Sequence, residues 1–283
     1  MKVKLLFFTF IVFQLAVSSP VHAQGFTVSY RGLDFAASPG EKILTSIGVT
    51  NLMNEPLTLR IYRGDWVRVE GETSKYVFDE TGGKEPRTIL PWMTFGPDHL
   101  VIAANEKREI YCEVTVPNDN SLQGSYWGVI FIEQAPTVTS VPVESESDSM
   151  RVGINTVYRY AAKIYVTIEG TQVLGGRYND IRIEREGNDY KVIGFYENTG
   201  NVYYKPETWL EIRDSGGQVI YRKEHIRHTV LPESEREYVF DLENLGIGPG
   251  SYLVMIISDY GAPDLVAAQA IMELREEQVK PME

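Results

Sequence analysis

The chain of 283 residues has a single cysteine, Cys112, so no intrachain disulfide can form and stability must come from burial. Cys112 sits in KREIYCEVTV in phase with Ile110, Val114 and Val116, the position of a small buried apolar residue rather than a reactive thiol. Histidine is scarce as well, with four in all. His225 and His228 are an odd number of residues apart, which on a strand sends their rings to opposite faces and excludes a shared ion. His99 stands alone in GPDHLVI, so no metal and no cofactor are expected. Positive charge is in short supply: 27 Lys plus Arg stand against 39 Asp plus Glu, a formal charge of −12. That balance argues against nucleic acid or an anionic membrane surface as a partner. Long apolar runs are absent after the N-terminus, so no integral membrane segment is expected in the processed chain.

What is present begins with a leader. Lys2 and Lys4 precede an apolar run from Leu5 to Val17, and small residues Val21 and Ala23 come before Gln24. This is the pattern of a cleaved secretory signal over residues 1–23, and its apolar core is too short to span a bilayer comfortably. The remaining 260 residues, 24–283, suit two domains. Strand periodicity dominates them, as in Ile43, Thr45, Ile47 and Val49, or Leu57, Leu59 and Ile61. Turn chemistry punctuates the strands at Pro39-Gly40, Gly82-Gly83, Asn198-Thr199-Gly200 and Gly248-Pro249-Gly250. Many short strands so spaced predict an all-β chain of two immunoglobulin-like β-sandwich domains in tandem. The stretch AAQAIMELREEQ fits either a helix or a last strand followed by a polar tail.

A weak repeat supports two copies of one fold. Residues 105–133 and 233–259 share a charged run ending Arg-Glu, an apolar strand, a loop, Gly-Ser-Tyr and a second strand. The expected division is 24–168 for the first domain, with a long last strand, 169–276 for the second, and 277–283 as tail. In the first copy, YWGVIFIE is apolar on both faces, which marks a strand that is central or covered twice. APTVTSVPVESESDSM follows it and reads as a mobile loop, with acidic residues gathered in 137–149. Then comes MRVGINTVYRYAAKIYVTIEG, in which every even position from Val152 to Ile168 is apolar or β-branched. Strands average about 5–6 residues, whereas this one would run on the order of 55 Å.

Enzyme chemistry finds little support. Asp214-Ser215-Gly216-Gly217 resembles the surroundings of a trypsin-like nucleophile, yet it lies between WLEIR and QVIYR, where a hairpin needs a glycine turn, and nothing places a base and an orienting acid. Gly82-Gly83-Lys84 lacks the rest of a Walker spacing. Trp66, Trp92, Trp127 and Trp209 are read as sandwich packing rather than a carbohydrate platform.

Two sandwiches, export and a long alternating strand after an acidic loop form a layout that resembles the PapD-like periplasmic pilus chaperones, over nearly the whole mature length. FTVSYRGLDF and ILTSIGVTN look like that family's first strands, with Arg31 at the place of its cleft arginine. RVGINTVYRYAAKIYVTI looks like the last strand of its first domain, with Lys163 at the place of its cleft lysine. VLPESEREYVF and ISDYG resemble segments of its second domain. Residues 70–90 look like an insertion, and the acidic balance departs from most relatives; both point to a divergent branch.

The resemblance implies a non-enzymatic periplasmic chaperone that lends a strand to unfinished pilus or surface-structure subunits. Val152, Ile154, Thr156 and Tyr158 would form the donor row, Arg31 and Lys163 would hold the subunit's C-terminal carboxylate, and an outer-membrane platform would take the subunit over. Three large apolar groups at roughly 1.5–3 kcal/mol each give on the order of 5–9 kcal/mol before ordering costs. Lys163 lies on the odd phase, opposite the apolar row, and is expected to face the groove between domains. An exposed donor row is an aggregation hazard unless the acidic loop or self-association through the same strand covers it. The competing expectation is a structural or adhesive envelope protein that binds a surface polymer or another wall protein. In a third reading the long strand merely continues through the junction into the second domain.

Overall fold

The computed structural model describes residues 25–30, 33–68, 76–80, 85–135, 137–142, 151–187, 189–243 and 245–274, with the backbone alone at 67–68, 76, 137–142, 151–156 and 186. The leader and the tail expected from the sequence lie outside the described residues.

The first half contains β1 (Phe26–Tyr30), β2 (Asp34–Ala37), β3 (Lys42–Asn51), β4 (Leu57–Arg68), β5 (Tyr76–Asp79), β6 (Met93–Gly96), β7 (His99–Ile102), β8 (Lys107–Thr115), β9 (Ser125–Gln134), β10 (Thr137–Pro142), β11 (Arg151–Thr156) and β12 (Arg159–Ile168). One sheet has the order β1-β3-β8-β6; the facing sheet runs β2-β12-β9-β4-β5, with β7 also on β4. Alternation explains the core between them. Ile43, Ile47, Ile110, Cys112 and Val114 from one sheet meet Leu59, Ile61, Ile130, Ile132, Ala162, Ile164 and Val166 from the other. Burial pushes the Cys112 thiol up to about 11, as expected for a structural cysteine.

The second half contains β13 (Gly176–Glu186), β14 (Asp189–Asn198), β15 (Glu207–Arg213), β16 (Val219–Glu224), β17 (Glu235–Leu242), β18 (Gly250–Asp259) and β19 (Val266–Leu274). Its sheets are β13-β14-β17 and β16-β15-β18-β19. Val192, Tyr196, Tyr238 and Phe240 close against Leu210, Ile212, Val254, Ile256 and Met272. The chain is therefore two β-sandwiches in tandem. In both copies of the sequence repeat the first strand lies in one sheet and the second crosses to the other: β8 to β9, and β17 to β18. The AAQAIMEL stretch is strand β19, and Asp214 to Gly217 is a hairpin turn in which the Gly217 amide donates to the Asp214 carbonyl at 2.9 Å and Gly217 has φ +78°.

β9 is central and covered twice. Its even positions Ile130 and Ile132 face the sandwich interior, while Trp127, Val129 and Phe131 enter a second cluster with Trp66, Tyr165 and Leu231. Part of the 70–90 stretch supplies that cover. β5 extends the sheet beside β4, and Phe78 meets Phe131 edge-on at 5.1 Å. The amide of Ile89 donates to the Trp127 carbonyl, and the amide of Trp127 to the carbonyl of Arg87.

Two expectations need correction. The long strand is broken at Val157 and Tyr158 into β11 and β12, and the stretch expected to be a loop contains β10, which pairs with β11 in a separate two-stranded ribbon. The cause lies on the opposing strand. Register pairs Glu133 with Arg159 and Thr137 with Thr156, so the sequence has three residues between these paired positions on one strand and two on the other. Such a mismatch is a bulge, which bends the pair. Pro136 has no amide to give a ladder, and the Ala135 amide turns to the Thr58 carbonyl of β4 at 3.0 Å.

Candidate functional site

β12 joins the two halves of the molecule. On one side it pairs with β9 from Arg159 to Thr167; on the other, β2 joins it in parallel only from Tyr165 to Ile168. Among the described residues no strand pairs with that second edge over Arg159–Ile164. Upstream, among the described residues β11 pairs with β10 alone and belongs to neither sheet of the sandwich. Val152, Ile154 and Thr156 lie on this ribbon, with their side chains outside the described residues. Tyr158 falls in the break and is 43% exposed.

Even residues of β12 are consumed by the core, whereas the odd face carries Arg159, Ala161, Lys163 and Tyr165. Arg159 is tied at the upstream end. Its guanidinium donates to the Tyr62 hydroxyl at 3.1 Å, pairs closely with Glu80, and lies 5.0 Å from the Phe131 ring centroid. Lys163 lies further along, its Nζ 3.8 Å from the centroid of Trp66, a cation held against an aromatic face. Burial and then the charges of Lys205 and Arg236 hold its ammonium below the ordinary lysine range. Arg31 lies outside the described residues, so the structure leaves its distance to Lys163 unstated.

The junction itself is closely bonded. Tyr165 stacks on Tyr203 with centroids 3.9 Å apart, and Leu231 packs into the Trp66 cluster. The Ser125 amide donates to the Asn201 carbonyl at 2.9 Å. Asn201 Nδ2 donates to the Thr171 carbonyl, while its Oδ1 accepts from the Val173 amide. Glycine is required at 124: φ is +71°, and a Cβ there would stand 2.0 Å from the Asn201 carbonyl oxygen.

Some of this was missed in the sequence. Arg236 is 3% exposed and shares the phase of Tyr238 and Phe240 on β17; a charge on an apolar phase was the available signal. The expected placement of His225 and His228 on opposite faces does not hold. β16 ends at Glu224, so strand alternation does not govern His225 and His228, whose ring centroids lie 5.4 Å apart. Burial, then Arg236 and His225, push His228 down to about 4. The His225 ring donates from Nδ1 to the Ile226 carbonyl at 2.9 Å. No third His, Cys, Asp or Glu completes a metal-binding group among the described residues.

Comparison with solved structures finds similarities at low identity and TM-scores below 0.5. The neighbours are pilus chaperones. The CsuC chaperone, in its complex with the tip subunit CsuE from the archaic chaperone-usher Csu pili of Acinetobacter baumannii, shares 12% identity, with 88% of this chain and 97% of that one covered and a TM-score of 0.44. The YadV chaperone matches at 12% identity over 88% of this chain and 100% of its own, TM-score 0.43. A chaperone–tip adhesin complex of CFA/I fimbriae matches at 14% identity over 89% and 100%, TM-score 0.42. No family model and no curated protein matches the sequence. Among the described residues no helix is long and apolar enough to cross a membrane.

Proposed function

We propose that this chain is a periplasmic chaperone that binds exported pilus or surface-structure subunits by lending them a strand, then releases them to an assembly platform. The observation that carries the reading is the β10–β11 ribbon, which lies upstream of β12 and belongs to neither sandwich sheet. An unfinished sandwich pairs with such a strand through backbone hydrogen bonds, which give affinity without demanding one sequence, and the residues alternating along β11 fill its core. The row is Val152, Ile154 and Thr156, with Tyr158 at the break. The carboxylate end of the subunit meets Lys163, with Arg31 as the second cation, in charge-assisted hydrogen bonds. Residues 1–23 direct export.

A photocrosslinker placed at Thr156 in the periplasm tests this. Capture of a secreted subunit, lost in the Arg31→Ala, Lys163→Ala double variant, is the expected result. Capture of no exported protein, together with normal surface assembly in cells lacking the chain, sinks the reading.

A further inference from the structure

The upstream end of β12 is held by a network that reaches across the sheet. Arg60 on β4, Glu133 on β9 and Arg159 on β12 stand in register over three strands, on the face away from the core. Tyr62, over whose ring the Arg60 guanidinium lies at 4.4 Å, links the other two: its hydroxyl accepts from Arg159 at 3.1 Å and donates to Glu133 at 2.8 Å. The Arg159 guanidinium lies 5.0 Å from the centroid of Phe131 and 5.9 Å from that of Phe78. Of its two carboxylate partners, Glu133 is 3.9 Å away and Glu80 is closer. Glu80 lies outside all three strands. β5 ends at Asp79, and the next residue of the 70–90 stretch reaches over the sheet to Arg159. Gly64 makes that crossing possible, since a Cβ there would stand 2.7 Å from the Asp79 carbonyl oxygen and 2.8 Å from the Phe131 ring.

We propose that Glu80 and Arg159 are positioning residues for the lent strand: residues 76–80 form a strap that fixes the direction in which the β10–β11 ribbon leaves the sandwich. The proposal rests on the chaperone reading for what the ribbon does, and on the geometry alone for where it points. Arg159 is the first residue of β12, directly after the break at Val157 and Tyr158. The opposing strand parts from it at the same level. The Gln134 amide still donates to the Tyr158 carbonyl at 2.9 Å, whereas the Ala135 amide donates to Thr58 of β4. Beyond that point β10 and β11 pair with each other. A two-stranded ribbon is marginal by itself, so its direction depends on its root. A planar guanidinium held by Tyr62, Glu133 and Glu80 above aromatic rings is left with one orientation, and the backbone at the root is held with it. One exposed ion pair contributes little to stability, so the strap acts on direction rather than on melting. A strand presented at one angle binds with a smaller ordering cost than one that sweeps through many.

The test reads the ribbon's direction without a subunit. In the processed chain, spin labels are attached at Thr139→Cys on β10 and Leu44→Cys on β3, where Leu44 is exposed; Cys112 is buried and stays unlabelled. A second pair, Leu44→Cys with Val101→Cys, lies wholly within the first sandwich and serves as control. Dipolar electron resonance should give one narrow distance distribution for the ribbon pair. In Glu80→Gln that distribution should shift and lose its single narrow peak, and in the Glu80→Gln, Tyr62→Phe double variant it should broaden further. The control pair and the melting curve should stay as they were. Ribbon distributions in both variants that match the wild type overturn the strap and leave the chaperone reading standing on its crosslink. A wild-type distribution that is already broad overturns a fixed exit altogether. If the control pair moves in the double variant, Glu80→Gln, which alters an exposed side chain, decides alone.

Discussion

In the first domain β9 reaches β12 through residues 135–158, which build the β10–β11 ribbon; in the second, β18 reaches β19 through residues 260–265 alone. The paired strands are otherwise alike. β9 and β12 match from Ser125–Thr167 to Glu133–Arg159, and β18 and β19 from Gly250–Leu274 to Ser258–Val266. Each final strand also has an edge without a partner strand for much of its length among the described residues. An open edge is therefore not enough to mark a binding strand. What separates them is that β12 is continued upstream by a ribbon outside the sandwich and carries a cation at its foot. The outward positions of β19 are instead Ala267, Gln269, Ile271 and Glu273, of which Ile271 is 60% exposed. The same hairpin closes a core in one domain and extends beyond it in the other.

Making the two hairpins alike breaks the comparison most severely. Replacing residues 135–158 with the sequence of 260–265 removes the ribbon and keeps the β9–β12 pairing. If the ribbon is the lent strand, crosslinking and co-purification of subunits fall to background while both sandwiches still melt cooperatively. Retention of subunit binding by this chimera would move the site to the second domain or to the junction.

A smaller effect separates the two sheets. The outward face of β9 is loaded with Trp127, Val129 and Phe131 beneath β5 and Tyr62, and Phe131 is 0% exposed. Phe131→Ala should cost about 3–5 kcal/mol, the usual range for deleting a fully buried ring. That loss belongs to the first domain and to the wall beside Arg159, whose guanidinium lies against the same ring. Hydrogen exchange should show the amides of β9 and β12 losing protection while those of β14 and β17 keep theirs. Equal loss in both domains would mean that the junction couples them into one unfolding unit.

Much of this architecture could be read from alternation. β3, β4 and the core-facing half of β12 show it directly, and the two-faced apolar composition of β9 announced its double cover. The odd phase of Lys163 was legible too, because strand geometry alone puts it opposite Ile164. The break at Val157 was hidden since its cause is a residue count on the partner strand, and periodicity is counted along one strand at a time. β10 was hidden by its composition: Thr137–Pro142 has three hydroxyl residues and ends in proline, and its pairing with β11 is the organising factor. The meeting of His225 and His228 depended on where β16 stops, and strand ends are the least legible feature of a pattern. Arg236 was legible as a charge on an apolar phase, in step with Tyr238 and Phe240.

The smallest expected effect concerns acid, and it sharpens the comparison because the histidines of the two domains are placed differently. His99 of the first domain is exposed, whereas in the second His228 lies in the neighbourhood of Arg236 and His225. Burial and those two charges lower His228 from 6.5 in the unfolded chain to about 4 in the fold. Between these values the unfolded second domain holds more protons than the folded one, so stability falls as pH falls. The contribution is complete above about pH 6.5, is lost progressively on the way down, and levels off below about pH 4. Native-state hydrogen exchange corrected for intrinsic rates should show β14 and β17 losing protection between pH 7 and 4.5 more than β3 and β8. In His228→Gln that difference between the domains should shrink, because the side chain that must stay neutral inside the fold is gone. A wild-type protein and a His228→Gln variant with parallel pH profiles would assign the acid response to the carboxylates instead, and the two domains would then soften together.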